Sequence, residues 1–332
     1  MPSLSTVWTH FFPPKPRFTE KDVPDLKGKV YIVTGSNSGI GKETARVLYA
    51  KHAKVYIATR SETKAQQAIQ DIQKSAHSSK GSLIFLPLDL ADLVSVKAAA
   101  ETFLSREDKL HTLFNNAGVF VSPVEPPPKT AQGYELALGV NCIGAHLFTQ
   151  LLTPRLQAAA ADKTVPAHSV RVIWLSSFTL ELRGHDGYGL RTDNLDYHIP
   201  VVGTERYGLS KCGVWCLAVE YARRYKQDGI ISVAINPGNL TTELHRDQSW
   251  AIKLIALLVA YPPAYGTATE IFAAFSPEAA AADVNKTWVA PFGRVLPLRQ
   301  DLNKATLSEN EGGTAGAAKF WDWSNEQIKP YL

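Results

Sequence analysis

Val30-Tyr31-Ile32-Val33-Thr34-Gly35-Ser36-Asn37-Ser38-Gly39-Ile40-Gly41 runs from β-branched and aromatic residues straight into a turn that holds three glycines. Lys42-Glu43-Thr44-Ala45-Arg46-Val47-Leu48 follows and reads as a helix. A buried strand, a tight turn and a helix N-terminus in that order make a place for a phosphate. Glycines let the backbone approach the anion, and the free N–H groups of the first helical turn point at it. The spacing is G-x-x-x-G-x-G, which differs from the G-x-G-x-x-G of the common dinucleotide fingerprint.

Outward from this stretch, strands and helices alternate. Strands are expected at 54–59, 83–88, 110–114, 170–175, 230–235 and 287–290. Helices are expected at 62–75, 93–106, 133–161 (with an interruption near Pro154), 207–225 and 266–276. Apolar runs of this length between helices indicate parallel strands covered on both faces. Right-handed crossovers then give a single α/β domain, a Rossmann-type doubly wound parallel sheet with helices on both faces. The expected layout is an N-terminal arm at 1–28, punctuated by prolines, a dinucleotide-binding domain at 29–300 and a C-terminal tail at 301–332. Within the domain, 178–206 reads as a substrate loop and 239–265 as a lid region over the cofactor.

The 332 residues are 45% hydrophobic and 20% charged, a globular composition. A net charge of +4 without a basic block gives no footprint for nucleic acid. Cys142, Cys212 and Cys216 have neither disulfide-framework nor metal-ligand spacing, so a reducing, cytoplasmic setting and no metal are expected. No secretory signal is visible. The apolar run 250–261 is shorter than the roughly 20 residues a membrane span needs, carries Lys253 and stops at Pro262-Pro263.

In an open parallel sheet, ligands bind beyond the carboxyl ends of the strands. Gly35 to Gly41, Asp89, Asn115-Asn116-Ala117-Gly118, Ser176-Ser177 and Pro237-Gly238 all follow expected strands and converge on one rim. Tyr207-Gly-Leu-Ser-Lys211 sets a phenol and an ammonium four residues apart, on one helix face. A phenol near its ordinary pKa of about 10 is a poor proton carrier at neutral pH, and a nearby cation is expected to lower it. The same pair also occurs as an ordinary surface contact on helices.

These motifs, in this order, resemble those of the short-chain dehydrogenase/reductases over roughly residues 28–280. The resemblance implies metal-free hydride exchange between a nicotinamide cofactor and a carbonyl/alcohol pair. It implies Tyr207 as proton donor or acceptor, and Lys211 as the cation that lowers its pKa and holds the nicotinamide ribose. Ser177, rather than its neighbour Ser176, would hydrogen-bond the substrate oxygen, and Asn141 would help hold a relay water. On the cofactor side it implies Gly35, Ser36, Asn37, Ser38, Gly39, Ile40 and Gly41 around the pyrophosphate. Asp89 would approach the adenine, Asn116 the ribose region, and Leu240 and Thr242 the nicotinamide carboxamide. A four-helix homodimer through the Tyr207 helix is common in the family, although the arm and tail could block it.

The second strand ends in Thr59-Arg60-Ser61, where an NAD-binding chain would carry a carboxylate for the ribose 2′-OH. A guanidinium pairs bidentately with a 2′-phosphate, so NADP(H) is expected, with Arg60 as main determinant and Lys64 or Ser61 assisting. The 29 residues between Ser177 and Tyr207 exceed the simplest family members. This longer segment resembles that of retinol-dehydrogenase-like and related fungal secondary-metabolism reductases. Its His185 and His198 read as loop residues. The expected substrate is an apolar small molecule, such as a polyketide or terpenoid metabolite, a steroid or a retinoid. The alternative reading is a non-catalytic NADP-binding or sensor protein on the same fold.

Overall fold

A computed structural model describes residues 2–121, 125–241 and 260–332. Eight strands form one sheet: β1 Val30–Thr34, β2 Lys54–Thr59, β3 Ser82–Pro87, β4 Thr112–Asn115, β5 Val170–Leu175, β6 Ile230–Ile235, β7 Thr287–Ala290 and β8 Arg294–Pro297. Their order is β3-β2-β1-β4-β5-β6-β7-β8. β1 to β7 pair in parallel, and β8 turns back antiparallel on β7.

The helices are α1 Leu4–Phe11, α2 Gly39–Ala50, α3 Glu62–Ser75, α4 Leu93–Leu104, α5 Leu136–Ala160, α6 Thr179–Arg183, α7 Gly203–Tyr225, α8 Pro263–Phe275, α9 Pro277–Ala281, α10 Asn303–Thr306 and α11 Gly316–Ile328. All five residues of β1 are buried, and alternate side chains serve opposite faces. Val30 and Ile32 join a cluster with Val96, Phe148, Trp215 and Phe320 of α4, α5, α7 and α11. Tyr31 and Val33 join a second cluster with Leu48, Ile69 and Ile271 of α2, α3 and α8. Two cores, one on each side of a sheet whose strand β1 is buried throughout, are what make the fold doubly wound. The helix α5 is apolar and long enough to cross a membrane, and it is mostly buried within this core.

The strand order reverses between β1 and β4. The glycine turn after β1 and the Asn115 to Gly118 turn after β4 are therefore neighbours at the switch point.

Several elements differ from the sequence expectation. The helix α5 is not interrupted at Pro154, which sits inside its last stretch. The interruption lies earlier, as a π-helical segment at Gly139–Gly144 that contains Asn141. The helix α7 starts at Gly203, four residues before Tyr207. The strand β8 and the helices α1 and α11 were not expected. In α11, Phe320, Ser324 and Ile328 recur every fourth residue and are fully buried. Thr242, and most of the run 250–261, lie outside the described residues.

Candidate active site

The turn after β1 is held from three sides. Thr34 Oγ1 donates to Phe114 O at 3.1 Å and accepts from Ala117 N–H at 2.9 Å. Ser36 is fully buried and its hydroxyl donates to Val33 O at 2.7 Å. Gly35 and Gly39 have φ of +67° and +58°, a region L side chains rarely adopt. Gly41 is needed for another reason: a Cβ there would lie 2.4 Å from Asn116 Nδ2 and 2.9 Å from Gly35 O. The cradle is thus built for close approach of a ligand to bare backbone.

A cavity of about 620 Å³ opens from this cradle. Asn37, Ser38, Gly39, Ile40 and Gly41 line it at one place, and Arg60, Ser61 and Lys64 line it at the end of β2. Asp89 and Asn116 line it beyond β3 and β4, and it ends among Gly118, Val119, Phe120, Val121 and Leu175. Its size is in the range of cofactor sites. Arg60 and Lys64 are exposed, with no carboxylate at the end of β2, whereas Asp89 Oδ1 accepts from Ala91 N–H at 3.0 Å. Asn37 Oδ1 accepts from Thr59 Oγ1 at 2.8 Å, which fixes the turn against β2. Bare glycine backbone, a helix N-terminus and a cationic end suit a dinucleotide, and the residues present fit one.

Leu240 is placed differently. Its side chain is buried with Ile40 and Phe292 and does not line that cavity. The parallel bridge to Tyr261 uses the Asn239 carbonyl and the Thr241 N–H. Leu240's own N–H and C=O are directed to the opposite side of its backbone.

Beside the end of the cavity formed by Gly118, Phe120 and Leu175, α7 carries Tyr207 and Lys211, both buried. The Lys211 ammonium lies 5.8 Å from the Tyr207 ring centroid and donates to Leu175 O at 2.7 Å. Tyr207 shares a hydrogen bond with Ser177. Ser176, by contrast, is buried and donates to Lys211 O at 2.8 Å. The two serines therefore face different tasks, with Ser177 on the phenol and Ser176 on the helix backbone.

Asn141 lies in the π segment, and its amide joins three elements. Its Oδ1 accepts from Val119 N–H at 2.8 Å, and its Nδ2 donates to Val119 O at 3.2 Å and to Ser210 Oγ at 2.9 Å. Ser210 Oγ donates in turn to Tyr207 O at 2.7 Å. A Cβ on Gly118 would stand 3.1 Å from Lys211 Nζ and 3.2 Å from Asn141 Oδ1, so both polar ends border one small space. π segments recur where a side chain must be turned out of helical register.

The electrostatics differ from the expectation. Burial pushes the Tyr207 phenol up to about 12, with the Ser177 hydrogen bond pulling the other way. Burial also pulls the Lys211 ammonium down to about 8. The four-residue spacing anticipated attraction between two charges, but desolvation of each group is the larger effect.

His185 and His198 are loop residues here. His185 Nδ1 accepts from Arg191 N–H at 3.1 Å, and His198 pairs with Asp196 at 2.6 Å. All three cysteines are free and buried. Phe120, not singled out by the sequence, packs edge-on to the Tyr207 ring at 4.6 Å between centroids. No spacing signal marks it, because it reaches the phenol across the sheet end from the loop after β4.

A short chain dehydrogenase family model matches residues 29–177. The short-chain dehydrogenase/reductase bet4 of Neocamarosporium betae is 51% identical over 330 residues, covering 99% of this chain and 94% of its own. A short-chain dehydrogenase/reductase of Phomopsis amygdali is 48% identical over 334 residues, with coverages of 99% and 98%. Among solved structures, a protein from Mycobacterium paratuberculosis superposes with a TM-score of 0.66 at 24% identity, covering 94% of this chain and 97% of its own. The 3-ketoacyl-(acyl-carrier-protein) reductase of Brucella melitensis, complexed with NADH, gives 0.59 at 22% identity, with coverages of 78% and 95%. At these identities the structural likeness concerns the fold alone. The chain belongs to the short-chain dehydrogenase/reductase family. It is an oxidoreductase of CH–OH and C=O groups, in a family that uses nicotinamide cofactors.

Proposed function

We propose that the protein is an NADP(H)-dependent reductase or dehydrogenase that interconverts a carbonyl and an alcohol on an apolar small molecule of secondary metabolism. The observation that carries this reading is the grouping of Ser177, Tyr207 and Lys211 beside the Gly118, Phe120 and Leu175 end of a cavity whose other end is cationic.

The glycine turn from Gly35 to Gly41 would hold the pyrophosphate, Asp89 the adenine side, Asn116 the ribose region, and Lys211 the nicotinamide ribose. The outward N–H and C=O of Leu240, with Thr242, would meet the carboxamide. The bound dinucleotide supplies the hydride in reduction and takes it in oxidation. Ser177 Oγ–H donates to the substrate oxygen and holds the carbonyl in place. Tyr207 gives its phenolic proton to that oxygen as the carbon is reduced, and takes it back in the reverse direction. Burial keeps the phenol protonated at neutral pH, so the proton is present to be given, and its transfer depends on a cation that stabilises the phenolate left behind. The Lys211 ammonium stabilises the phenolate that remains, and Asn141 holds the relay water by which the proton is replaced.

Arg60 is the choice for the 2′-phosphate, since its fork matches a phosphate bidentately and gains little from a hydroxyl. Ser61 caps α3 by accepting from Lys64 N–H at 3.4 Å, which keeps both residues beside Arg60. Apolar substrate preference rests on Phe120 and Val121 at the cavity's end and on exposed Leu182, Ile199 and Val202 in the segment 178–206. The test is NADPH oxidation against a diverse carbonyl panel, with Tyr207→Phe as control and Arg60→Asp for the cofactor. Turnover confined to small charged carbonyls would overturn the substrate class. NADPH affinity unchanged in Arg60→Asp would overturn the cofactor choice.

A further inference from the structure

The N-terminal helix α1 lies against the segments that follow β5 and β6 and against the strands β7 and β8. Phe11 packs edge-on to Phe178, the neighbour of Ser177, at 5.7 Å between centroids. Thr9 is gripped by Arg294, which donates to its Oγ1 and its carbonyl oxygen at 2.8 Å each. His10, 2% exposed, stacks obliquely between Phe178 at 4.7 Å and Trp288 at 5.4 Å.

His10 also makes one polar contact: its Nδ1 lies 3.0 Å from Asn236 Nδ2. Since the amide nitrogen can only donate, Nδ1 accepts, and the ring is neutral with its proton on Nε2. Asn236 begins the loop Asn236-Pro237-Gly238, and its other amide atom, Oδ1, accepts from Gly238 N–H at 3.1 Å. Its main-chain N–H is already fixed to Val289 O at 2.8 Å. The acceptor on His10 thus decides which way the Asn236 amide faces, and the amide decides the path of the loop toward Leu240. Meanwhile His10 Nε2 is buried with no partner among the described residues. A phenylalanine would fill the same aromatic nest without stranding a nitrogen, so packing alone does not account for a histidine here.

We propose that α1 braces the loops of the site and that His10 is a positioning residue. Through Asn236 it sets the loop that meets the nicotinamide end of the cofactor, while Phe11 sets the loop of Ser177. This deepens the function proposed above and rests on its assignment of the 236–241 loop to the nicotinamide.

The test compares full-length wild type, His10→Phe and His10→Gln in calorimetric binding of two ligands. One is NADPH, and the other is 2′-phospho-ADP-ribose, which lacks the nicotinamide. His10→Phe keeps the ring and loses the acceptor, whereas the Gln amide oxygen can accept the same bond. The expected result is a roughly fivefold loss of NADPH affinity in His10→Phe, the size of one lost hydrogen bond. Affinity for 2′-phospho-ADP-ribose and the melting temperature should hold, and His10→Gln should bind NADPH nearly as wild type does. Equal loss for both ligands, no loss for either, or His10→Gln behaving as His10→Phe would overturn the proposal. Should wild type prefer NADH, the NADP(H) reading fails. The same comparison with NADH and ADP-ribose then decides the role of His10.

Discussion

Asn116 reaches from the end of β4 across the switch point to Thr34 at the end of β1, its Nδ2 donating to the carbonyl oxygen at 2.7 Å. This bond ties together the two turns that flank the cradle, and it occupies the space where a side chain at Gly41 would have to sit. Gly41→Ala is therefore expected to break the Asn116–Thr34 bond or to push the turn outward. NADPH affinity should fall at least tenfold, and stability by roughly 1–3 kcal/mol, the usual cost of overpacking. Fluorescence titration with NADPH and a urea melt check both, and an unchanged NADPH affinity would show that the cradle can yield.

The serine pair offers a cleaner separation of roles. Ser176 Oγ is spent on Lys211 O inside the core, whereas Ser177 meets the phenol. Ser177→Ala should lower kcat by roughly a hundredfold or more with little change in melting temperature. Ser176→Ala should do the reverse and cost about 1 kcal/mol of stability with turnover largely kept. The opposite pattern in kinetics and melting would exchange the two assignments.

The main lines of the fold were legible in the sequence because the strands β1, β2, β5 and β6 are almost wholly buried and read as predominantly apolar runs, with Arg171 in β5 and Ser232 in β6 as the interior exceptions. The edge strand β8 was not, since Arg294-Val-Leu-Pro297 is short, half-buried and antiparallel. The helix α1 carries its signal only in tertiary contact, since His10 is buried by surfaces far away in sequence, and in α11 the spacing of Phe320 and Ile328 is broken by the polar Ser324. Motifs named each loop of the site, but not how far each side chain is desolvated. The Tyr207–Lys211 spacing said that the groups are near. It could not say that both are buried and that one ammonium proton goes to Leu175 O. Likewise a run of helical residues gives no hint that Asn141 sits in a π turn.

Asn141 is buried, and its amide bonds to both Val119 and Ser210. Asn141→Ala leaves the Val119 N–H and the Ser210 hydroxyl without that partner, at a cost of roughly 1–3 kcal/mol. Since the same amide borders Lys211 Nζ, kcat should fall with it. Stopped-flow measurement of carbonyl reduction, beside a thermal melt, separates the two effects. A variant that melts lower but reduces at the wild-type rate would leave Asn141 a purely structural residue.

Glu270 on α8 is 1% exposed and accepts a short hydrogen bond from Thr44 on α2, the helix that begins at the glycine cradle. Its Oε1 has no partner among the described residues. Burial raises its carboxyl from 4.5 to about 7, with the Thr44 bond acting in the opposite direction. A carboxyl whose folded pKa lies above its unfolded value binds its proton more tightly in the native state. Its contribution is fully present below pH 4.5 and is lost as pH rises through about 7. The loss amounts to on the order of 3 kcal/mol by the top of that window. Glu181, also buried, is raised to about 7 and adds to the same trend. Glu270→Gln removes the ionisation and keeps the shape, so its melting temperature should exceed that of wild type near pH 8 and come close to it near pH 5. Melting curves across that range check the sign. If the gap instead widened toward acid pH, the carboxyl would be ionised in the fold and held by a partner.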